Sequence, residues 1–422
     1  MVRSSAVWSG SSGTAQSCLF MPDIRTLTLM LAGLAMLGPF AIDTYLPAFD
    51  KIAGDFGVPD VLMQHTLSVY MISFAVMSLF WGALSDTFGR RPVIIASLVL
   101  FGIGSLGSAL APSYGWLLFF RALQGCSGGA GRVVGQALAR DRYQGPEAQR
   151  LFANIAMVFS LAPAIAPVVG GYLSTHIGWR SIFGMLTLFT LVLIVSGWRV
   201  LPETLPASAR QPWKPGVILG NYLRAVSNVQ FLLAIMAVGF GFSGFGLYIA
   251  SASKFVMDIL GLPETAFAWL FLPFIGGMFT GSMVSSRSAA RVDPALLIRV
   301  GLGIMAGGAL LNVSYNAFFT ATVPWAVVPI FIYGFGMSLA TPGMTVITLN
   351  TFPSMRGVAS SLQSAMQMTI FALVAGLVAP LLFESALLLA AGTVASSSLS
   401  IGCWVASRRL AGRKDAQGSL RE

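Results

Sequence analysis

Charge is scarce in this sequence. Asp, Glu, Lys and Arg supply 9% of its 422 residues, where a soluble domain carries roughly a quarter, so water is not the main solvent of the folded chain. Cysteine is scarcer still: Cys18, Cys126 and Cys403 lie far apart, and their spacing implies neither a disulfide framework nor a thiolate metal site. The two histidines, His65 and His176, are widely separated in sequence and form neither a ligand pair nor a base beside a nucleophile. An enzyme active site is therefore unsupported. None of the four lysines follows a Gly-x-x-x-x-Gly loop, so ATP has no phosphate cradle, and no cofactor is implied. Residues 1–20 lack the unbroken apolar core of a signal peptide. They read as a cytoplasmic tail, or as sequence upstream of a start at Met21.

Hydrophobic residues, 56% of the chain, take the place of the missing charge. A helix crossing a hydrocarbon core of about 30 Å needs about 20 mostly apolar residues, because lipid offers no partner to an open backbone. Apolar runs bounded by charge, Pro or Gly place six helices near 25–48, 62–84, 93–111, 115–138, 151–173 and 181–200. Six more fall near 229–253, 265–286, 295–317, 324–348, 357–382 and 386–407. The expected fold is an all-α membrane protein with twelve transmembrane helices in two pseudo-symmetric six-helix bundles. Its expected organisation is a tail over 1–24, a bundle over 25–200, a polar, Pro-rich linker over 201–228, a second bundle over 229–408 and a tail over 409–422. The segment from Gly82 to Pro92, with a faint counterpart from Gly281 to Arg291, hints at related halves.

A net charge of +10 could suggest nucleic acid, but the basic residues fall in small groups between apolar runs. With residue 1 in the cytoplasm, the tails and even-numbered loops hold 20 of the 25 Lys and Arg, which sets both termini inside. Two Gly-x-Gly-x-x-Gly matches, at Gly102 and Gly239, lie inside apolar helices without the strand a dinucleotide site needs. They read as points of close helix contact.

An ionisable residue inside a span is costly, which makes it a functional candidate. Of fifteen acids, Asp43 alone qualifies, unless it merely ends helix 1, since Asp50 follows soon after. Burial and a nearby cation act in opposite senses on such a carboxyl, and their balance suits a group that takes up and releases a proton. The candidate cation is Arg121, six residues into helix 4 and at a similar depth. At 100° per residue, Arg121, Gly125, Gly128, Arg132 and Gly135 share one face of that helix, a stripe suited to protein or water. Arg132 is either a second cavity charge or a side chain that snorkels to the cytoplasm.

Helix 5 carries Pro163 and Pro167 on one face, followed by Gly170 and Gly171, a bend or a tight seam. Between helices 2 and 3, Gly82, Asp86, Gly89, Arg90 and Arg91 form either an ordinary positive-inside loop or a latch. As a latch, Asp86 would accept hydrogen bonds from the amino end of helix 11, near Pro353 to Gly357. The second half has no ionisable residue deep in a helix. Its polar residues Tyr248, Asn312, Tyr333, Gln363 and Gln367, with Tyr45 from the first half, are candidates for a substrate cavity.

The segment Gly82-Ala83-Leu84-Ser85-Asp86-Thr87-Phe88-Gly89-Arg90-Arg91-Pro92 resembles the loop signature of the major facilitator superfamily. Arg121-Ala122-Leu123-Gln124-Gly125 resembles its helix 4 motif, and Pro163 to Gly171 the helix 5 motif of its antiporters. Ala41-Ile42-Asp43-Thr44-Tyr45-Leu46-Pro47-Ala48 is similar to the helix 1 signature of twelve-span drug:proton antiporters of the Bcr/CflA type in bacterial inner membranes. Further likenesses are Gly178-Trp179-Arg180, Leu201-Pro202-Glu203-Thr204-Leu205 and Arg356 to Ser361. The resemblance covers about residues 25–408. It implies a proton-driven exporter of largely apolar, drug-like small molecules, active as a monomer, with no ATP. In it Asp43 carries the proton, Arg121 is the essential helix 4 arginine, and Asp86 with Arg90 forms the gate. Two residues depart from the pattern: Ala166 stands where many antiporters place glycine, and Arg132 has no counterpart. The same fold also suits a proton-coupled importer of sugars or metabolites, and a non-transporting receptor or assembly protein is the rival from another class.

Overall fold

The computed structural model describes residues 24–142, 155, 162–163, 165–210, 215–288, 291–352 and 356–419. The first apolar run forms α1 (Ile24–Asp43), and a 3-10 turn over Leu46–Ala48 leads into α2 (Phe49–Phe56). Helical structure thus continues past the expected end at residue 48, and Asp43 lies at a break in it. The break has local causes: Pro47 lacks an N–H, and Thr44 turns its hydroxyl back onto the Phe40 carbonyl at 2.5 Å. Next come α3 (Asp60–Phe88) and α4 (Arg90–Ala109), which meet at Gly89, whose φ of +101° favours glycine. Helix 4, expected to be continuous, is split at the Gly128-Gly129 pair into α5 (Tyr114–Gly128) and α6 (Ala130–Arg142). The first half closes with α7 (165–176) and α8 (Arg180–Val200).

The stretch 201–228, expected to be a polar, Pro-rich linker, contains a helix, α9 (Pro215–Val226). Proline at its first position and apolar residues at helical spacing (Leu219, Tyr222, Leu223, Val226) account for it. The second half comprises α10 (Val229–Ala250), α11 (Ala268–Ser288), α12 (Pro294–Phe318), α13 (Val328–Leu349), α14 (Arg356–Leu373), α15 (Ala379–Leu382) and α16 (Ala386–Ser419). The Asn228 side chain accepts from the Phe231 N–H to cap α10, and the Asp293 side chain accepts from the Ala295 N–H to cap α12. A π-helical turn over Val374–Val378 separates α14 from α15, just before Pro380, which cannot donate to the helix ladder. The last helix runs to Ser419, well into the expected tail.

Among the described residues, ten helical stretches are long and apolar enough to cross a membrane. The other two of twelve correspond to the split α5–α6 pair and to the stretch containing α7. In the first bundle α4 packs on α5 and α8, and α1 on α6 and α8; in the second, α13 packs on α11 and α12, and α10 on α16. Exposed Leu188, Leu191, Leu310 and Leu381 give both bundles an apolar exterior. The bundles meet along α3 and α14.

At the end remote from α9 the halves are tied together. Gln64 donates to the Ala250 carbonyl at 2.7 Å, and the Ser68 hydroxyl to the Ala372 carbonyl at 3.0 Å. Lys254 bridges Asp60 of the first half (2.7 Å) and Asp258 of its own half (3.0 Å). Partial burial opposes the ammonium's charge, but the hydrogen bonds and charges of these two carboxylates outweigh it and hold the Lys254 pKa above its ordinary value. A Cβ added to Gly376 would lie 3.2 Å from that of Ser68, close to disulfide geometry. Paired cysteines at 68 and 376, in a background with Cys18, Cys126 and Cys403 replaced by Ser, are therefore expected to crosslink on oxidation and to arrest transport until reduced. Transport that continues in the fully crosslinked protein would show that this end need not open.

Candidate transport site

Arg121 is the largest fully enclosed side chain in the described structure, and Asp43 is only 3% exposed. Arg121 Nη1 donates to the Ala41 carbonyl at 2.9 Å and to Gln124 Oε1 at 3.0 Å. Gln124 in turn donates to Ser105 Oγ at 2.7 Å, which fixes the amide. The Tyr70 and Tyr45 rings flank the guanidinium, with centroids at 4.5 and 4.8 Å, so the cation is held partly by π faces. Tyr45 is anchored by a 2.9 Å hydrogen bond between its hydroxyl and that of Thr66. Arg121 Nε and Nη2 and Asp43 Oδ1 find no hydrogen-bond partner.

The expected pairing of Asp43 with Arg121 is not formed: no ion pair joins them, although Tyr70 lies within electrostatic reach of both. Comparable depth set both near the same level, but the guanidinium is drawn to the carbonyl exposed where α1 approaches its break. Glycines bring the neighbouring helices this close. A Cβ on Gly125 would lie 2.1 Å from the Tyr70 carbonyl oxygen, and one on Gly170 of α7 would lie 1.9 Å from that of Thr44, so neither position admits a side chain. Helix 5 thus touches the residue after Asp43. Pro167 and Gly171 are buried in this seam and Pro163 is half-buried.

The loop between α3 and α4 is tied down within its own half. Arg90 is nearly buried; its guanidinium meets Asp86 Oδ1 at 2.6 Å, Ser85 Oγ at 2.5 Å and Asp141 Oδ2 at 3.1 Å. Glu203 caps α4, accepting from the backbone N–H groups of Arg90 and Arg91 at 3.0 and 3.3 Å. Arg91 donates to the Trp198 carbonyl at 2.6 Å, and Thr204 to Asp141 at 3.0 Å. Gly82 has open space where a Cβ would be. Of the expected partner of Asp86 at the amino end of helix 11, Pro353 to Gly357, residues 353–355 lie outside the described residues; Asp86 pairs with Arg90. Replacing Glu203 by Gln should remove a charge-assisted cap and lower the melting temperature by the equivalent of about 1–2 kcal/mol. An unchanged tryptophan-fluorescence melt would show that water replaces the cap.

The second-half candidates divide. Tyr248, Asn312 and Tyr333 lie inside the second bundle, not between the bundles. Asn312 donates to the Tyr248 hydroxyl at 2.8 Å and Tyr333 to the Gly241 carbonyl at 2.9 Å, so these polar groups satisfy one another inside an apolar core. Tyr45 is likewise enclosed in the first bundle. Gln363 and Gln367 on α14 are half-buried; Gln363 donates to Thr345 at 3.0 Å while its Oε1 has no partner. Arg132 is exposed. Sequence reasoning passed over Tyr70, which reads as an ordinary core ring, and Asp141 and Glu203, whose partners lie far away along the chain.

Two helical bundles that meet along α3 and α14, with the buried charges of the described residues in the first bundle, make this a multi-pass membrane protein of the two-bundle transporter class. It belongs to the Major Facilitator Superfamily, whose family model matches residues 31–376. It is 29% identical over 358 residues to the bicyclomycin resistance protein homolog of Haemophilus influenzae, covering 85% of this chain and 90% of that one. It is 28% identical over 341 residues to multidrug resistance protein D of Escherichia coli, covering 81% and 85%. Among solved structures, a D-xylose-proton symporter superposes with a TM-score of 0.68 at 15% identity, over 89% of this chain and 97% of that one, a likeness of fold.

Proposed function

We propose that this chain exports drug-like, largely apolar small molecules across a bacterial inner membrane in exchange for protons, acting as a monomer and without ATP. The observation that carries this reading is the enclosed site in which, among the described residues, Asp43 and Arg121 are both buried inside the spans with Tyr70 in electrostatic reach of each. Relatives named for resistance to bicyclomycin and to multiple drugs support export. The basic loops support a cytoplasmic location for both termini and for the α9 end.

The end closed by Lys254, Gln64 and Ser68 is then the outer end. In this conformation two of the three guanidinium nitrogens of Arg121 hold donors in reserve. When the bundles rock and the site opens outward, Asp43 binds a proton. When they rock back, a small rotation of Arg121 from the Ala41 carbonyl toward Asp43 supplies the donors an anion needs, and the proton leaves on the cytoplasmic side. Substrate binding and deprotonation favour the same conformation, which couples the two flows.

Inside-out vesicles from cells producing the chain test this reading. A panel of drugs should accumulate when a proton gradient is imposed, and accumulation should collapse with an uncoupler in the absence of ATP. Accumulation that survives the uncoupler would refute proton exchange.

A further inference from the structure

Helix α9 turns three different arcs to its surroundings. Ala225 is buried and Tyr222 half-buried in a small core with Phe231 and Ile235 of α10 and Ala359 and Leu362 of α14. At 100° per residue, Leu219, Leu223 and Val226 share a second arc, and the two leucines are each 59% exposed. Asn221 and Arg224 lie on the side away from these three, with Arg224 exposed. Packing accounts for the first arc and water for the third. An exposed row of large apolar side chains calls for another partner.

The level of α9 identifies that partner. The Tyr222 hydroxyl donates to the Leu79 carbonyl of α3 at 2.7 Å. Leu79 stands about 13 Å along the axis before the end of α3 at Phe88. With 29 residues, α3 exceeds the need of a hydrocarbon core by about nine. Even with all of that surplus at this end, Leu79 would stand at the hydrocarbon boundary. Val229, just beyond α9 and also exposed, continues the apolar surface onto the membrane-spanning α10. The exposed face of α9 is thus continuous with the surface that meets acyl chains. Charge agrees with this placement: Arg210, Lys214 and Arg224 fall in a stretch with no Asp or Glu between Glu203 and Asp258.

We propose that α9 lies in the plane of the membrane boundary, with Leu219, Leu223 and Val226 among acyl chains and the Arg224 guanidinium on the phosphates of anionic phospholipids. A helix with an apolar arc and a basic one binds a bilayer through both. The lipid contact reaches the joint between the halves, since α9 packs on α10 and α14 and bonds to α3.

The test uses the full chain in phosphatidylcholine vesicles, with Cys18, Cys126 and Cys403 replaced by Ser and a nitrobenzoxadiazole label on Leu219→Cys or Leu223→Cys. Small, equal fractions of phosphatidylcholine or phosphatidylglycerol carrying an acyl-chain nitroxide are then added. Both labels are expected to emit as in an apolar medium and to be quenched by the nitroxide. Tagged phosphatidylglycerol should quench roughly fivefold more per added lipid, the enrichment that one basic side chain near an anionic surface brings. Arg224→Gln should bring that ratio toward one, and Arg224→Lys should keep it. Water-like emission without quenching at both positions would overturn the proposal. Apolar emission without nitroxide quenching would overturn it too, because protein, such as a second copy of the chain, would then cover the face. Equal quenching by the two tagged lipids with Arg224 in place would refute the headgroup contact.

Discussion

Asp43→Asn is expected to reduce proton-driven efflux to the level of vesicles without the protein, while the chain still inserts and folds. The amide matches the carboxyl in shape, so the packing of Thr44 against Gly170 and of Arg121 against the Ala41 carbonyl stays in place. What is lost is the ability to bind and release a proton between the two conformations. Substrate movement down its own gradient should persist, because that requires rocking but no titration. The measurement is uptake by inside-out vesicles with and without a proton gradient, beside release of protons on adding substrate to purified protein. Wild-type accumulation with intact proton release would remove Asp43 from the mechanism.

Changes at Arg121 should be nearly as severe for transport yet modest for stability, since two effects oppose each other. Arg121→Ala abolishes two hydrogen bonds and two ring contacts, each worth on the order of 1–2 kcal/mol. It also removes a fully buried cation whose Nε and Nη2 are unsatisfied, which recovers desolvation energy of similar size. Arg121→Lys keeps the charge, but an ammonium cannot lie flat between Tyr45 and Tyr70 while reaching Ala41 and Gln124. Transport by the Lys variant is expected to fall at least about tenfold, a barrier change of roughly 1.4 kcal/mol. Lys transport equal to wild type would mean that charge alone matters here.

Much of this architecture was legible because rarity is informative in an apolar sequence. Asp43 and Arg121 stood out as charges inside long hydrophobic runs, and Gly125 and Gly170 as small residues beside them. Their pairing was not legible: position along a helix sets depth, but the rotamer depends on which carbonyls a break lays bare. The internal bonds of Tyr248, Asn312 and Tyr333 were not legible for a related reason, since which polar groups in lipid-buried helices satisfy one another depends on how the bundle packs. Glu203 at the amino end of α4 and Lys254 against Asp60 join residues far apart in sequence, and only the folded chain brings them together. In α9, the surrounding prolines and charges masked a short helical pattern.

The second bundle holds no ionisable residue deep in its helices, and this has an electrical consequence. Voltage across the membrane exerts force only on charge that moves through it, and each unit is worth about 2.3 kcal/mol per 100 mV. That force falls on α1, α5 and α6, the elements bearing Asp43, Arg121 and Arg132, while the second bundle turns without electrical work. Exchanging a neutral molecule for one proton carries one charge inward, exchanging a monovalent anion carries two, and exchanging a monovalent cation carries none. A cell with a negative interior would thus pull the cycle forward through one half of the molecule, and more steeply when the cargo is an anion.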